Sequence, residues 1–305
     1  MIVHAIKSGG MSEIVRELTS QPDTWRRAAA EAPGAATTLP RSGDRVAVVG
    51  CGTSLFVGQA YAGLREPAGE GETDAFAASE APRGRIYDVV VAISRSGTTT
   101  EVSRLLEQSW EGARCVAICG VDDTPVVKAA QERIILGFAD EHSVVQTRFA
   151  TGVLALLRAG LGEDIEPIAM DGERALAADL PLDPEAFDHF VFLGRGWTVG
   201  LANEAALKLR EASGAWAESY PAMEYRHGPI SVAGPRSAVW PLGEVDAGLL
   251  RDVAETDATI VHHGLGPLDP MAELILIQRT AVALAEARGL DPDRPRHLTR
   301  SVVLS

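Results

Sequence analysis

Hydrophobic residues along this chain gather into short unbroken runs, and longer stretches of helical spacing lie between them. Residues 46–49 (VAVV), 89–93 (VVVAI) and 115–119 (CVAIC) are β-branched or small apolar runs without polar alternation. That is the pattern of strands buried on both faces of a parallel sheet. Residues 73–79 and 134–138 are expected to add two more strands. Helices are expected over 55–65, over 100–106 with Val102, Leu105 and Leu106 on one side, and near 146–160. Upstream, residues 11–30 space Ile14, Leu18, Trp25 and Ala29 as helices broken near Pro22, and 33–44 read as a linker. The pattern then restarts. Residues 190–193 (FVFL), the turn Gly194, Arg195, Gly196 and a helix over 198–212 repeat VAVV, GCGTS and its helix, with Gly194 standing 144 residues after Gly50. Strands over 239–242 and 259–262, a helix over 171–178 and a long apolar helix over 271–288 complete the reading. Strands alternating with helices predict an α/β chain of two doubly wound, mainly parallel units. The expected partition is an N-terminal helical arm at 1–34, a first unit at 35–165 and a second at 166–305 that includes the C-terminal tail.

The chemistry concentrates where strands end. Residues 94–99 (SRSGTT) follow the 89–93 strand directly and put Ser94, Ser96, Thr98 and Thr99 around one glycine and Arg95. A strand, a hydroxyl-rich turn and a helix N-terminus make an anion site, because the first helical turn leaves backbone N–H groups unpartnered at the positive end of the dipole. Serine and threonine are also ordinary helix caps, so the local pattern serves either purpose. Ligands of open α/β sheets sit at the carboxyl ends of strands. The turn GCGTS (Gly50 to Ser54) is a second strand–glycine–hydroxyl junction, without a GxGxxG fingerprint or a Walker lysine, so it does not specify a nucleotide.

Composition narrows the partners. The chain has 305 residues, 46% hydrophobic and 23% charged, ample for a buried core. A net charge of −14 without a basic stripe argues against nucleic acid. Cys51, Cys115 and Cys119 form no CxxC pair and leave an odd count, which fits a reducing cytoplasm and no metal site. No secretory leader is evident and no apolar run approaches the ~18 residues that would span a membrane, so no membrane partner is expected.

Six blocks carry a resemblance: CGTS from Cys51, SRSGTTTE from Ser94, GRG from Gly194, NEAALKLREAS from Asn203, AESYPAMEYRHGP from Ala217 and DPDRPRHLTRSV from Asp291. Together they resemble the double sugar isomerase (SIS) domain family. That family includes the isomerase portion of glucosamine-6-phosphate synthase, amino-sugar phosphate isomerases or deaminases, and fructosamine-phosphate deglycases. The resemblance runs from about Met11 to Ser301. It implies two SIS units, each a mainly parallel five-stranded sheet flanked by helices, in a homodimer with active sites near the subunit boundary and no cofactor. It implies a phosphorylated sugar or amino sugar as ligand, with the phosphate on Ser94, Arg95, Ser96 and Thr99. Cys51, Gly52, Thr53 and Ser54 would line the sugar, and Val144 and Gln146 in SVVQTR fall on a closing loop. Arg95 stands where the synthase usually has glutamine, and either bonds the phosphate or points to solvent.

Glu204, Lys208 and Glu211 lie at i, i+4 and i+7, hence on one helix face. By spacing alone this is a solvated charge stripe. The resemblance instead implies that Glu211 is the acid/base carboxylate, that Glu204 holds a second active-site position, and that His227 in YRHGP opens the sugar ring from the neighbouring subunit. Glu224, three residues before His227, is expected to orient it. One departure matters. Arg300 replaces the family's C-terminal lysine, and a guanidinium forms no Schiff base. Either His297 is a substitute in ring opening, or Arg300 only binds hydroxyls or a carboxylate of a different substrate. A glutamine-hydrolysing half with an N-terminal cysteine is not expected, since the chain starts Met1, Ile2, Val3. The leading expectation is an isomerase, deaminase or deglycase of a sugar or amino-sugar phosphate, acting by proton transfer at C1 and C2. The alternative is a non-enzymatic sugar-phosphate-binding regulator. A DNA-binding regulator is disfavoured by the small, weakly charged N-terminal segment.

Overall fold

The computed structural model describes residues 11–82, 84–108, 110 and 112–304. Residues 1–10 of the expected arm therefore lie outside the described residues. The unbroken apolar runs are strands: β1 (Val46–Gly50), β2 (Thr73–Ala77), β3 (Val89–Ser94), β4 (Arg114–Cys119) and β5 (Glu132–Ile135). They form one parallel sheet in the order β2-β1-β3-β4-β5. All five residues of β1 and all six of β3 are buried, which is why these strands read as continuous hydrophobic runs rather than alternating ones. Two helices open the chain, α1 (Glu13–Thr19) and α2 (Gln21–Ala35). The break falls at Ser20 rather than at Pro22, because proline is tolerated in a first helical turn, where its missing N–H costs nothing. α3 (Thr53–Arg65) follows β1, α4 (Thr100–Glu107) follows β3, α5 (Pro125–Ala129) follows β4 and α6 (Arg148–Gly160) follows β5.

The second sheet is built from β6 (His189–Gly194), β7 (Trp216–Pro221), β8 (Ser237–Pro241) and β9 (Thr259–Ile260), all parallel, in the order β7-β6-β8-β9. This repeats the order β2-β1-β3-β4 of the first sheet. The expected fifth strand has no counterpart among the described residues. β9 is two residues long, and the glycine- and proline-containing segment after it (HHGLGPLD, 262–269) leads straight into α10 (Pro270–Ala287), leaving no β-branched run to extend the sheet. α7 (Glu166–Ala177) precedes this sheet, α8 (Thr198–Ser213) follows β6, and α9 (Ala247–Ala254) follows β8. α10 packs along α8.

Two compact units result, one of residues 23–142, 146–166 and 299–305, the other of 1–22, 143–145 and 167–298. The termini differ from the expected partition: the last residues group with the first sheet, and α1 groups with the second. In the first-sheet unit the core gathers Val49, Val90, Ala92, Val102, Leu106 and Ala117. In the other it gathers Val191, Leu193, Tyr225, Val239, Leu249 and Val253. No described helix is long and apolar enough to cross a membrane.

Candidate active site

Within the first-sheet unit, β1 and β3 are neighbours, and the chain leaves them toward opposite edges of the sheet. The carboxyl ends of such a pair are the switch point where α/β sheets hold ligands. Both hydroxyl-rich turns emerge there. The turn after β1 demands glycine at Gly50, where a Cβ would lie 2.7 Å from the Ser54 Cβ, and uses Gly52 at φ 55° to enter α3. Thr53 and Ser54 are buried in the first turn of that helix. The Cys51 thiol is pushed up by burial and by the nearby Glu101 carboxylate.

The turn after β3 is a closed hydrogen-bond network. Ser94 Oγ accepts the Gly97 N–H at 3.2 Å and lies 3.4 Å from Thr99 Oγ1, while Ser96 Oγ accepts the Thr98 N–H at 3.2 Å. Gly97 sits at φ +66° with no room for a Cβ, which would come within 2.0 Å of Thr124 Oγ1. Ser94, Arg95 and Ser96 are all buried. What covers them is the chain's own end. Ser96 Oγ and Thr98 Oγ1 reach Ser301 Oγ at 3.0 and 2.9 Å, the Thr100 N–H donates to the Val302 carbonyl at 3.2 Å, and the Leu304 N–H donates to Thr100 Oγ1 at 2.9 Å. Arg95 does not face solvent: its Nη2 donates to the Arg300 carbonyl at 2.8 Å. The Arg300 guanidinium pairs with Asp140. Sequence reading set Arg300 beside the substrate but gave no sign that residues 300–304 would lie along the serine-rich turn.

The 141–147 segment is organised by carboxylates that the sequence reading passed over. Glu141, fully buried, accepts the N–H groups of Thr147 and Arg148 at 2.6 and 2.9 Å and so caps α6. Glu17 on α1 accepts the Ser143 N–H at 3.3 Å. Val144 and Gln146 lie partly buried in the segment between these anchors.

In the second-sheet unit, α8 carries the charged triad. Lys208 pairs with Glu211 and stands 3.5 Å from Glu204, with side chains of Lys208 and Glu204 only 1% and 2% exposed. That burial excludes the solvated stripe. A buried lysine clasped by two carboxylates one turn to either side holds Glu211, itself 20% exposed, at the edge of solvent. His227 is exposed at the end of a 3-10 turn (Ala222–Arg226), and its N–H donates to the Glu224 carbonyl at 2.9 Å. Among the described residues no hydrogen bond or ion pair joins the side chains of Glu224 and His227.

Glu211 opens onto a cavity of about 730 Å³ that His297 also lines, together with Arg210, Arg288, Arg294 and Arg296. Sequence reading named Glu211 and His297 separately; the structure brings them to one hollow. A second cavity of this unit, about 550 Å³ at the ends of β8 and β9, holds His263 and Glu273, 3.6 Å apart. Burial, with Asp269 adding, pushes the Glu273 carboxyl up to about 7 against the lowering pull of the Gly243 N–H; burial pushes His263 down. No three His, Cys, Asp or Glu side chains converge as a metal site among the described residues.

Residues 41–158 match the SIS domain family. Over 307 residues the chain is 26% identical to a glutamine–fructose-6-phosphate aminotransferase (isomerizing) of Sulfolobus acidocaldarius, covering 87% of this chain and 51% of that protein. The chain spans about half the length of the curated relatives it matches. Among solved structures, glucosamine-6-phosphate deaminase of Thermotoga maritima shares the fold with a TM-score of 0.81 at 24% identity, covering 96% of this chain and 100% of that one. The C-terminal domain of the Francisella tularensis glucosamine-fructose-6-phosphate aminotransferase also gives 0.81, at 22% identity, covering 95% and 100%.

Proposed function

This chain carries a SIS domain, and from that premise we propose that it is a phosphosugar enzyme that moves a proton between C1 and C2 of a ketose or amino-sugar 6-phosphate, by isomerisation, deamination or deglycation. In this reading Ser94, Arg95, Ser96 and Thr99 hold the phosphate, Cys51 to Ser54 with Val144 and Gln146 hold the sugar, and Arg300 binds its oxygens. Glu211 moves the proton, Glu204 supports it through Lys208, and His227 assists ring opening from the partner subunit of a homodimer. No metal or cofactor is assigned a step. The proton transfer needs a base within reach of carbon and a fixed carboxylate geometry.

The observation that carries this reading is the buried Glu204–Lys208–Glu211 array. Simple binding needs no such array, and burying Glu204 and Lys208 beside a partly exposed Glu211 is costly unless their arrangement is used. One observation favours a second reading, a sugar-phosphate-responsive regulator without chemistry: residues 300–304 occupy donors of the serine-rich turn, so a ligand there would displace the chain's own end. A thermal-shift screen of hexose and hexosamine 6-phosphates and fructosamine phosphates, followed by assay of the hits for isomerisation and for ammonia or amine release, separates them. Turnover supports the enzyme, and binding without turnover supports the regulator.

A further inference from the structure

The second sheet ends in a cavity to which the proposed function assigns no role. Pro241 closes β8 and Val261 follows β9, so this hollow of about 550 Å³ lies at the carboxyl ends of parallel strands, where α/β sheets hold ligands. One wall is apolar, made by Pro241, Val245, Leu250 and Val261. The polar side chains are Glu244, His262, His263 and Glu273, and among the described residues no lysine or arginine lines the hollow. An anion finds no fixed cation there.

Glu273, on α10, is only 7% exposed. Its Oε2 accepts the Gly243 N–H at 3.4 Å, while Oε1 accepts no hydrogen bond among the described residues and faces His263 Nε2 at 3.6 Å. His263 does not supply a charge. Its Nδ1 accepts the Leu265 N–H at 3.3 Å, which puts the proton of the neutral ring on Nε2, and burial pushes the imidazole down. The other groups around the cavity supply none either. Asp269 at the start of α10 pushes the Glu273 carboxyl further up, and Glu244 and His262 are exposed on the lining. From α7, Arg174 acts on His263, but its guanidinium is held by Asp171 and by the Leu265 and Pro267 carbonyls. From α8, Thr198 brings only a hydroxyl, which donates to the Leu242 carbonyl at 3.0 Å. A buried carboxylate with one open oxygen is stabilised by a cation that arrives with a ligand.

We propose that this cavity is a second ligand site, which takes a compact primary amine as its ammonium ion on Glu273, with the carbon body against the apolar wall. The ammonium brings both the charge and the N–H donors that Oε1 lacks. The site lies within the second-sheet unit alone, and the inference goes beyond the proposed function without resting on it. The Glu273 carboxyl, raised to about 7, gives up its proton when the ammonium binds.

The experiment titrates the full chain with cyclohexylamine and with cyclohexanol, which share a ring and differ in ammonium against hydroxyl, and follows backbone amides by NMR. The amine is expected to bind about 10- to 100-fold more tightly, the worth of a charge-assisted hydrogen bond, and to move the Gly243 and Leu265 amide signals. Its affinity should rise from pH 6 to pH 8, because the amine stays charged while the carboxyl loses its proton. Glu273→Gln keeps an acceptor for Gly243 and should bring the two affinities together and flatten the pH profile, with circular-dichroism melting confirming the fold. Equal affinities in wild type, or amine-induced shifts that leave Gly243 and Leu265 unmoved, overturn the inference without recourse to any variant. So does a preference for the amine that survives Glu273→Gln. Inorganic phosphate moving the same two amides in place of the amine would also overturn it. None of these outcomes bears on phosphosugar turnover, so the proposed function stands or falls separately.

Discussion

At the scale of single residues, the account turns on which charges are buried and with what. Lys208 is the hinge of the α8 array, for it is nearly inaccessible and touches both carboxylates. Lys208→Met removes the buried cation that Glu204 and Glu211 share and is predicted to destabilise the protein by about 3–5 kcal/mol in urea unfolding. Its effect on stability should far exceed that of Glu211→Gln, whose carboxylate is the more exposed of the two. Glu273 gives a pH prediction. Its folded pKa of about 7 is raised above the ordinary carboxylate range by burial. Between that range and pH 7 the unfolded chain has lost the proton while the folded chain keeps it. Stability attributable to this group therefore falls as pH rises through that window. Glu273→Gln should remove the fall, so wild type and variant melt closer together at pH 5 than at pH 8. A flat difference across that range contradicts it. Sequence spacing placed Glu204, Lys208 and Glu211 on one face of the helix. Periodicity cannot tell whether a charged face is inward, because that depends on what packs against α8, including α10, which follows it only after β7, β8 and β9. The Glu141 cap was equally invisible, since its partners follow it by six and seven residues in a segment with no regular period.

At the scale of elements, the strand ends set the chemistry. Gly97 lets β3 turn into α4 under Thr124, and Gly97→Ala is predicted to cost about 1–3 kcal/mol by forcing the two apart. The same substitution should weaken phosphosugar binding at least about tenfold in isothermal titration, since the turn's hydroxyls would lose their mutual geometry. Unchanged affinity would remove the turn from the phosphate site. Strands β1 and β3, fully buried, and β4 and β6, buried except at Arg114 and His189, were legible because a two-sided apolar environment writes itself into an uninterrupted run. β7 was not. It is an edge strand with Trp216 exposed and Glu218 taken up by His189 on β6 at 3.2 Å, so its sequence WAESYP carries too little apolar signal to announce a strand. α9 escaped for a similar reason: only Leu249 and Val253 are buried on it. β9 was expected to be twice its observed length, because Val261 and His262 beside Thr259–Ile260 were read as part of the strand.

At the scale of the whole molecule, an acidic chain handling an anionic ligand must overcome its own field locally. It has the means in two places, the serine-rich turn with Arg95 and the arginine-lined cavity beside Glu211. The internal repeat was readable from the 144-residue echo of strand and glycine turn, and the matching sheet orders bear it out. The grouping of residues 299–305 with the first sheet was not readable, because no motif records where a tail returns. The proposed sharing of His227 between subunits makes its own prediction. Glu211→Gln and His227→Ala proteins, each inactive alone, should regain roughly a quarter of wild-type turnover when co-refolded, one intact site forming in each mixed dimer. No recovery would mean that each subunit completes its own site. The most direct measurement of the central claim follows C1/C2 interconversion of a bound phosphosugar by proton NMR in wild type and in Glu211→Gln. The account predicts interconversion by wild type and a rate at least about 100-fold lower in the variant, with binding retained. Equal rates in the two proteins would contradict it.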